Sequence, residues 1–139
     1  MHQGEIIYKE LSHKTQGILM EVRKIYGSGH KEKVYCNAIE ELLLRDKINY
    51  KREAKINIYS PITGNVVGVY RPDFVIDSRI ILEIKAVDII PKNFIDQIYS
   101  YLRVSNFELE IFTNFRSPKL YIKRIVFTND RKKHLNPGD

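Results

Sequence analysis

The chain has 139 residues, a length that fits one domain or one domain with a short tail; 43% are hydrophobic and 29% charged, which argues against general disorder. No apolar run approaches the roughly 18 residues of a membrane span, and Met1-His2-Gln3-Gly4-Glu5 lacks the basic-then-apolar pattern of a secretory signal. A single cysteine, Cys36, leaves no internal disulfide and no zinc-finger spacing, while the net charge of +6 favours a polyanionic partner, so a cytoplasmic protein is expected.

Ile18, Leu19, Val22, Ile25 and Tyr26 recur at helical spacing, with Ser12 as the expected N-cap and Gly27-Ser28-Gly29 as the stop. A second helix is expected from about Lys31 to Asp46, burying Val34, Ala38 and Leu42. After Asn49 the period changes. Ala54, Ile56 and Ile58 alternate with Lys55, Asn57 and Tyr59, as in a half-buried strand. Pro61 to Asn65 reads as a turn, and Val66 to Tyr70 resumes the strand pattern. Phe74-Val75-Ile76 and Ile80-Ile81-Leu82 flank a polar break at Asp77-Ser78-Arg79, which suggests a three-strand antiparallel meander. Pro91 suits the first turn of a third helix that continues through Phe94, Ile95, Ile98, Tyr101 and Leu102. Two further strands are expected, Leu109 to Thr113 and Leu120 to Phe127, parted by a turn at Arg116-Ser117-Pro118. The fold class is therefore α/β, with helices packed on a mixed sheet. One domain is expected over residues 1–128, followed by a basic, flexible tail over 129–139 with almost no apolar content.

One stretch breaks its own pattern. Ile80 to Val87 is apolar enough for a central strand covered on both faces, yet Glu83 and Lys85 interrupt it, two apart and so on one face. Charges on a buried strand are costly unless paired or bound to a metal. With a three-residue loop at Asp77-Ser78-Arg79, Asp73 comes opposite Glu83; a two-residue loop would shift the register by one. Opposed carboxylates repel, and a divalent cation relieves the conflict. Two hard oxygens suit Mg²⁺ or Mn²⁺ and not zinc. Pro72 cannot donate to a ladder and belongs where the sheet opens. The competing reading is a buried ion-pair cluster that only fixes strand register.

Pro72-Asp73, nine residues, then Glu83-Ile84-Lys85 resembles the signature of the PD-(D/E)XK nuclease superfamily. Gly29 to Tyr35 has the form G-x-x-E-x-x-Y of its GxxExxY family, and Gln97 to Tyr101 the Q-x-x-x-Y form of RecB-like nucleases. The resemblance spans roughly Leu11 to Val126 and implies a restriction-endonuclease-like αβββαβ core. It implies that Asp73 and Glu83 are metal-binding carboxylates, that the carbonyl of Ile84 is a further ligand, and that Glu32 is an accessory acid. Lys85 resembles the lysine that orients the attacking water. Gln97 and Tyr101, four apart on one helical face, would contact the DNA backbone or brace the site, and Tyr35 would hydrogen-bond the site or pack as an aromatic. Arg71, Lys92 and Arg116 stand near strand and helix ends where they would meet phosphates.

The expectation is a deoxyribonuclease using one or two Mg²⁺ or Mn²⁺ ions. The Q-x-x-x-Y resemblance leans it toward exonuclease or single-strand and end-directed action with little sequence specificity. A homodimer is open. The alternative is a nucleic-acid-binding or regulatory module that retains the fold without turnover.

Overall fold

The computed structural model describes residues 7–138. Helices α1 (Lys9–Tyr26) and α2 (Glu32–Arg45) come first. Strands β1 (Tyr50–Arg52), β2 (Ile56–Tyr59), β3 (Val66–Tyr70), β4 (Phe74–Ile76) and β5 (Ile80–Lys85) follow. Helix α3 (Phe94–Arg103), strands β6 (Leu109–Asn114) and β7 (Tyr121–Val126), and a single helical turn at Asn129–Arg131 complete the chain.

Helix α1 starts earlier than its polar residues suggest. Its N-cap is Tyr8, in the left-handed region at φ 50°, and Ser12 lies inside the helix. There the Ser12 hydroxyl accepts hydrogen bonds from Gln16 and Arg124, tying the helix to β7. The buried stripe is Ser12, Thr15, Ile18, Leu19 and Val22, whereas Ile25 and Tyr26 are exposed. Gly27 ends the helix at φ 73°, its N–H donating to the Arg23 carbonyl, a conformation that favours glycine. Helix α2 buries Tyr35, Cys36, Ala38, Ile39 and Leu43, with Val34 turned outward.

The main sheet has the order β1-β4-β5-β6-β7, antiparallel except for the parallel pair β5 and β6, which α3 connects. Strands β2 and β3 pair only with each other, so the expected meander is not continuous. The reason lies in β1, a three-residue strand too short to show any alternation. It takes the free edge of β4, whose other edge belongs to β5, so β3 has no edge to join. Between β4 and β5 the register pairs Ile76 with Ile80 across Asp77-Ser78-Arg79, the three-residue loop read from the sequence.

Alternation along β5 divides two cores. Ile80, Leu82 and Ile84 face α1 and α2 with Phe74, Ile76, Leu109 and Ile111. Ile81 faces α3 with Val75, Ile98, Leu102, Phe112 and Ile125. All four apolar residues of β5 are fully buried, each contributing about 1.5–3 kcal/mol. That burial is what fixes the strand under two helical layers. Glu83 and Lys85 share the phase of Ile81 and therefore lie on the α3 face.

The expected tail packs against the body. Lys132 is fully buried and donates its ammonium to the carbonyls of Ser105 and Phe107. Arg131 lies over the Phe127 ring at 4.2 Å, and His134 stacks on Tyr59 with centroids 5.2 Å apart. These are polar and cation-π contacts, so a reading based on apolar content alone expects a loose segment here.

Candidate active site

The end of β5 opens into a cavity of about 210 Å³ lined by Glu83 and Lys85 of β5, Tyr70 at the end of β3 and Arg71 just after it, and Phe94, Gln97, Ile98 and Tyr101 of α3. Asp73 stands one residue before β4, where the ladder register continues to Glu83. Instead of extending that ladder, its side chain turns to β5 and Oδ2 accepts the Ile84 backbone N–H at 2.7 Å. The Glu83 carboxylate accepts a hydrogen bond from the Tyr70 hydroxyl. Lys85 places its ammonium 5.2 Å from the centroid of the Phe94 ring. None of Asp73, Glu83 and Lys85 forms an ion pair among the described residues. The register-fixing ion cluster that competes with a functional site is therefore not what these charges make.

The electrostatics are those of an unneutralised acidic group. Burial first, and then the charge of Asp73, push Glu83 up to about 7, against the Tyr70 hydrogen bond and the charge of Lys85. Asp73 is likewise raised, by burial first and by Glu32, with the Ile84 N–H pulling the other way. Glu32, half-buried in the first turn of α2, is thus close enough to load both acids although it does not line the cavity. A fourth acid lies beneath. Glu110 of β6 is fully buried, neither of its carboxylate oxygens has a hydrogen-bond partner, and burial raises it well above the usual carboxylate range.

The other expected residues divide. Arg71, Gln97 and Tyr101 reach the cavity. Lys92 is exposed just before α3 and does not line it. Arg116 is committed elsewhere, 3.6 Å from Asp88 and 3.4 Å from the His30 carbonyl. Tyr35 is fully buried and stacked on Phe115 at 4.2 Å; its hydroxyl donates to the Gly27 carbonyl at 2.6 Å and accepts the His30 N–H. It closes the α1–α2 turn, and full burial removes it from any contact with DNA. Two residues of the site escape sequence reading, Tyr70 and Glu110. Glu110 carries the same signal that marks Glu83, an acid inside an apolar strand, whereas Tyr70 looks like any aromatic at a strand end.

Residues 9–125 match the family model of the PD-(D/E)XK nuclease superfamily. The chain belongs to that superfamily. No curated protein and no solved structure gives a significant match. The mixed five-strand sheet with helices on both faces is the restriction-endonuclease-like fold of PD-(D/E)XK nucleases, a family that acts on nucleic acid and generally uses divalent metals such as Mg²⁺. No helix among the described residues is long and apolar enough to cross a membrane. Among the described residues no three His, Cys, Asp or Glu side chains converge on one point as a preformed metal cage. The donor set nevertheless fits a hard cation. Asp73 and Glu83 are oxygen donors raised chiefly by burial, Glu83 also by the charge of Asp73, and neither has a cationic side chain within ion-pair distance among the described residues.

Proposed function

We propose that this chain is a divalent-metal-dependent deoxyribonuclease of the GxxExxY family, directed at ends or single strands with little sequence specificity. The observation that carries this reading is the unpaired trio: a buried acid, a half-buried acid and an amine on adjoining strand ends, beside an open cavity rimmed by Arg71 and Gln97.

In this reading Asp73, Glu83 and the Ile84 carbonyl hold one or two Mg²⁺ or Mn²⁺ ions, with Glu32 joining directly or through water. The cation, when bound, supplies Lewis-acid charge to the phosphoryl group, worth several kcal/mol in such reactions. Lys85 orients the attacking water and meets the charge that builds on the phosphate; its ammonium is free to do so because no carboxylate holds it. Arg71, Lys92 and Gln97 meet backbone phosphates, Arg116 supports the α1–α2 turn beside them, and Tyr101 braces the site. A cytoplasmic location and action as a monomer or homodimer accompany the proposal.

The test is a gel assay of purified protein on linear duplex, covalently closed circular and single-stranded DNA, with Mn²⁺ or with EDTA. Mn²⁺-dependent loss of linear and single-stranded DNA with intact circles is the expected result. Cutting of circles removes the end-directed part, and identical lanes with and without metal contradict metal-dependent cleavage.

A further inference from the structure

Tyr70 occupies a position that the reaction as described above does not use. It is the last residue of β3, paired with Ile56 of β2, and the hairpin that carries it is anchored to the end of α3 by the Tyr59 N–H donating to the Val104 carbonyl at 2.8 Å. Its ring lies flat on that of Tyr101, with centroids 4.2 Å apart and planes 6° from parallel. Its hydroxyl donates to one oxygen of Glu83. The same hydroxyl also faces Glu110, on the same side of the sheet as Glu83. A phenol has one proton to give, and here it goes to Glu83.

We propose that Tyr70 is the positioning residue for Glu83: clamped between the β2–β3 hairpin and the Tyr101 ring, it holds one carboxylate oxygen and so presents the other to the cation. The inference rests on the nuclease reading and deepens it.

The physical argument is one of orientation. A glutamate side chain has three rotatable bonds, and a metal ligand that must be frozen at each binding event binds less tightly than one held beforehand. A hydrogen bond to the non-ligating oxygen of a carboxylate does that holding, and loss of such an outer partner typically lowers metal affinity or activity by about 10–100-fold. The aim of the hydroxyl in turn depends on the ring, because the phenol is rigid. Sliding or tilting of Tyr70 is blocked on one face by Tyr101 and at its backbone by the hairpin. Tyr101 thus acts on the reaction through Tyr70 and Glu83, without touching the substrate. The fully buried Glu110 adds the complementary pressure: its charge is coupled to that of Glu83, and loss of the Tyr70 hydroxyl takes away a polar hydrogen that faces both acids.

The experiment compares wild type, Tyr70→Phe and Tyr101→Leu by calorimetric titration with Mn²⁺ in the absence of DNA, and by steady-state cleavage of a labelled single strand. Thermal unfolding establishes that each variant is folded. Tyr70→Phe keeps the stacked ring and removes only the hydroxyl, so Mn²⁺ affinity falls about 10–100-fold and kcat falls at fixed Mn²⁺, while KM for DNA is unchanged. Tyr101→Leu removes the clamp and reproduces the same pattern; it carries the test if Tyr70→Phe fails to fold. Wild-type Mn²⁺ affinity in Tyr70→Phe, or an effect confined to KM, overturns the inference while leaving the nuclease reading in place. A wild-type protein that neither binds Mn²⁺ nor cuts DNA overturns the nuclease reading itself.

Discussion

Replacing Glu83 by glutamine should stabilise the metal-free protein at alkaline pH. In the folded chain burial and the Asp73 charge lift this acid from an ordinary 4.5 to about 7. A carboxyl raised on folding takes up protons more readily in the native state than in the unfolded one. Its contribution to stability is therefore fully present below about pH 4.5 and is lost as the pH rises through about 7. At 1.36 kcal/mol per pKa unit the loss amounts to about 3 kcal/mol, an upper figure because Asp73 titrates in the same field. Glutamine has nearly the same shape, its amide oxygen still accepts the Tyr70 hydroxyl, and it has no charge to bury. Urea unfolding in EDTA, followed at intervals from about pH 4.5 to pH 8, measures the effect. Wild type should weaken steadily across that window, and Glu83→Gln should weaken less and be the more stable protein above pH 7. Wild-type stability that is flat across the window, or a Glu83→Gln variant less stable than wild type at pH 8, would refute the reasoning that this acid is buried and unneutralised.

The other expectations follow the same physics. Mn²⁺ should raise the melting temperature of wild type at pH 7.5, and Asp73→Ala should abolish that rise, as differential scanning fluorimetry would read. Lys132→Ala leaves the Ser105 and Phe107 carbonyls unpaired beneath the tail and should cost about 1–3 kcal/mol in urea unfolding; an unchanged midpoint would mean that the tail is not docked. Tyr35→Phe strips one hydroxyl that serves both Gly27 and His30 and should cost about 1–2 kcal/mol by the same measurement.

The parts of the site legible in the sequence are those where physical cost shows in the pattern. Glu83 and Lys85 stand out because charges interrupt a strand otherwise buried on both faces, and the loop at Asp77-Ser78-Arg79 then sets Asp73 in register with Glu83. Both helices of the first third, the Gly27 stop and the third helix after Pro91 follow from periodicity and from glycine and proline chemistry. What is not legible depends on neighbours that no local pattern announces. Strand β1 has only three residues, and by capturing the edge of β4 it sends β2 and β3 into a sheet of their own. Ser12 has the composition of a cap, but its hydroxyl is used by Arg124 from the far end of the chain. Arg116 looks like a phosphate contact until Asp88 and His30 claim it. The tail reads as loose because a buried lysine satisfied by two carbonyls resembles, in composition, a solvated one. Tyr70 belongs to the same class: its role comes from a ring on α3 and an acid on β5, each far away in sequence.

The central claim is that Asp73, Glu83 and Lys85 form one metal-assisted phosphodiesterase site. Its most direct test is the single-turnover rate of cleavage of an end-labelled DNA strand at saturating Mn²⁺, for wild type, Asp73→Ala and Lys85→Ala, with salt-dependent binding of the same DNA measured in parallel. The account predicts that both variants still bind DNA and that each loses cleavage, Lys85→Ala by at least about 100-fold. Cleavage at the wild-type rate by either folded variant would contradict it.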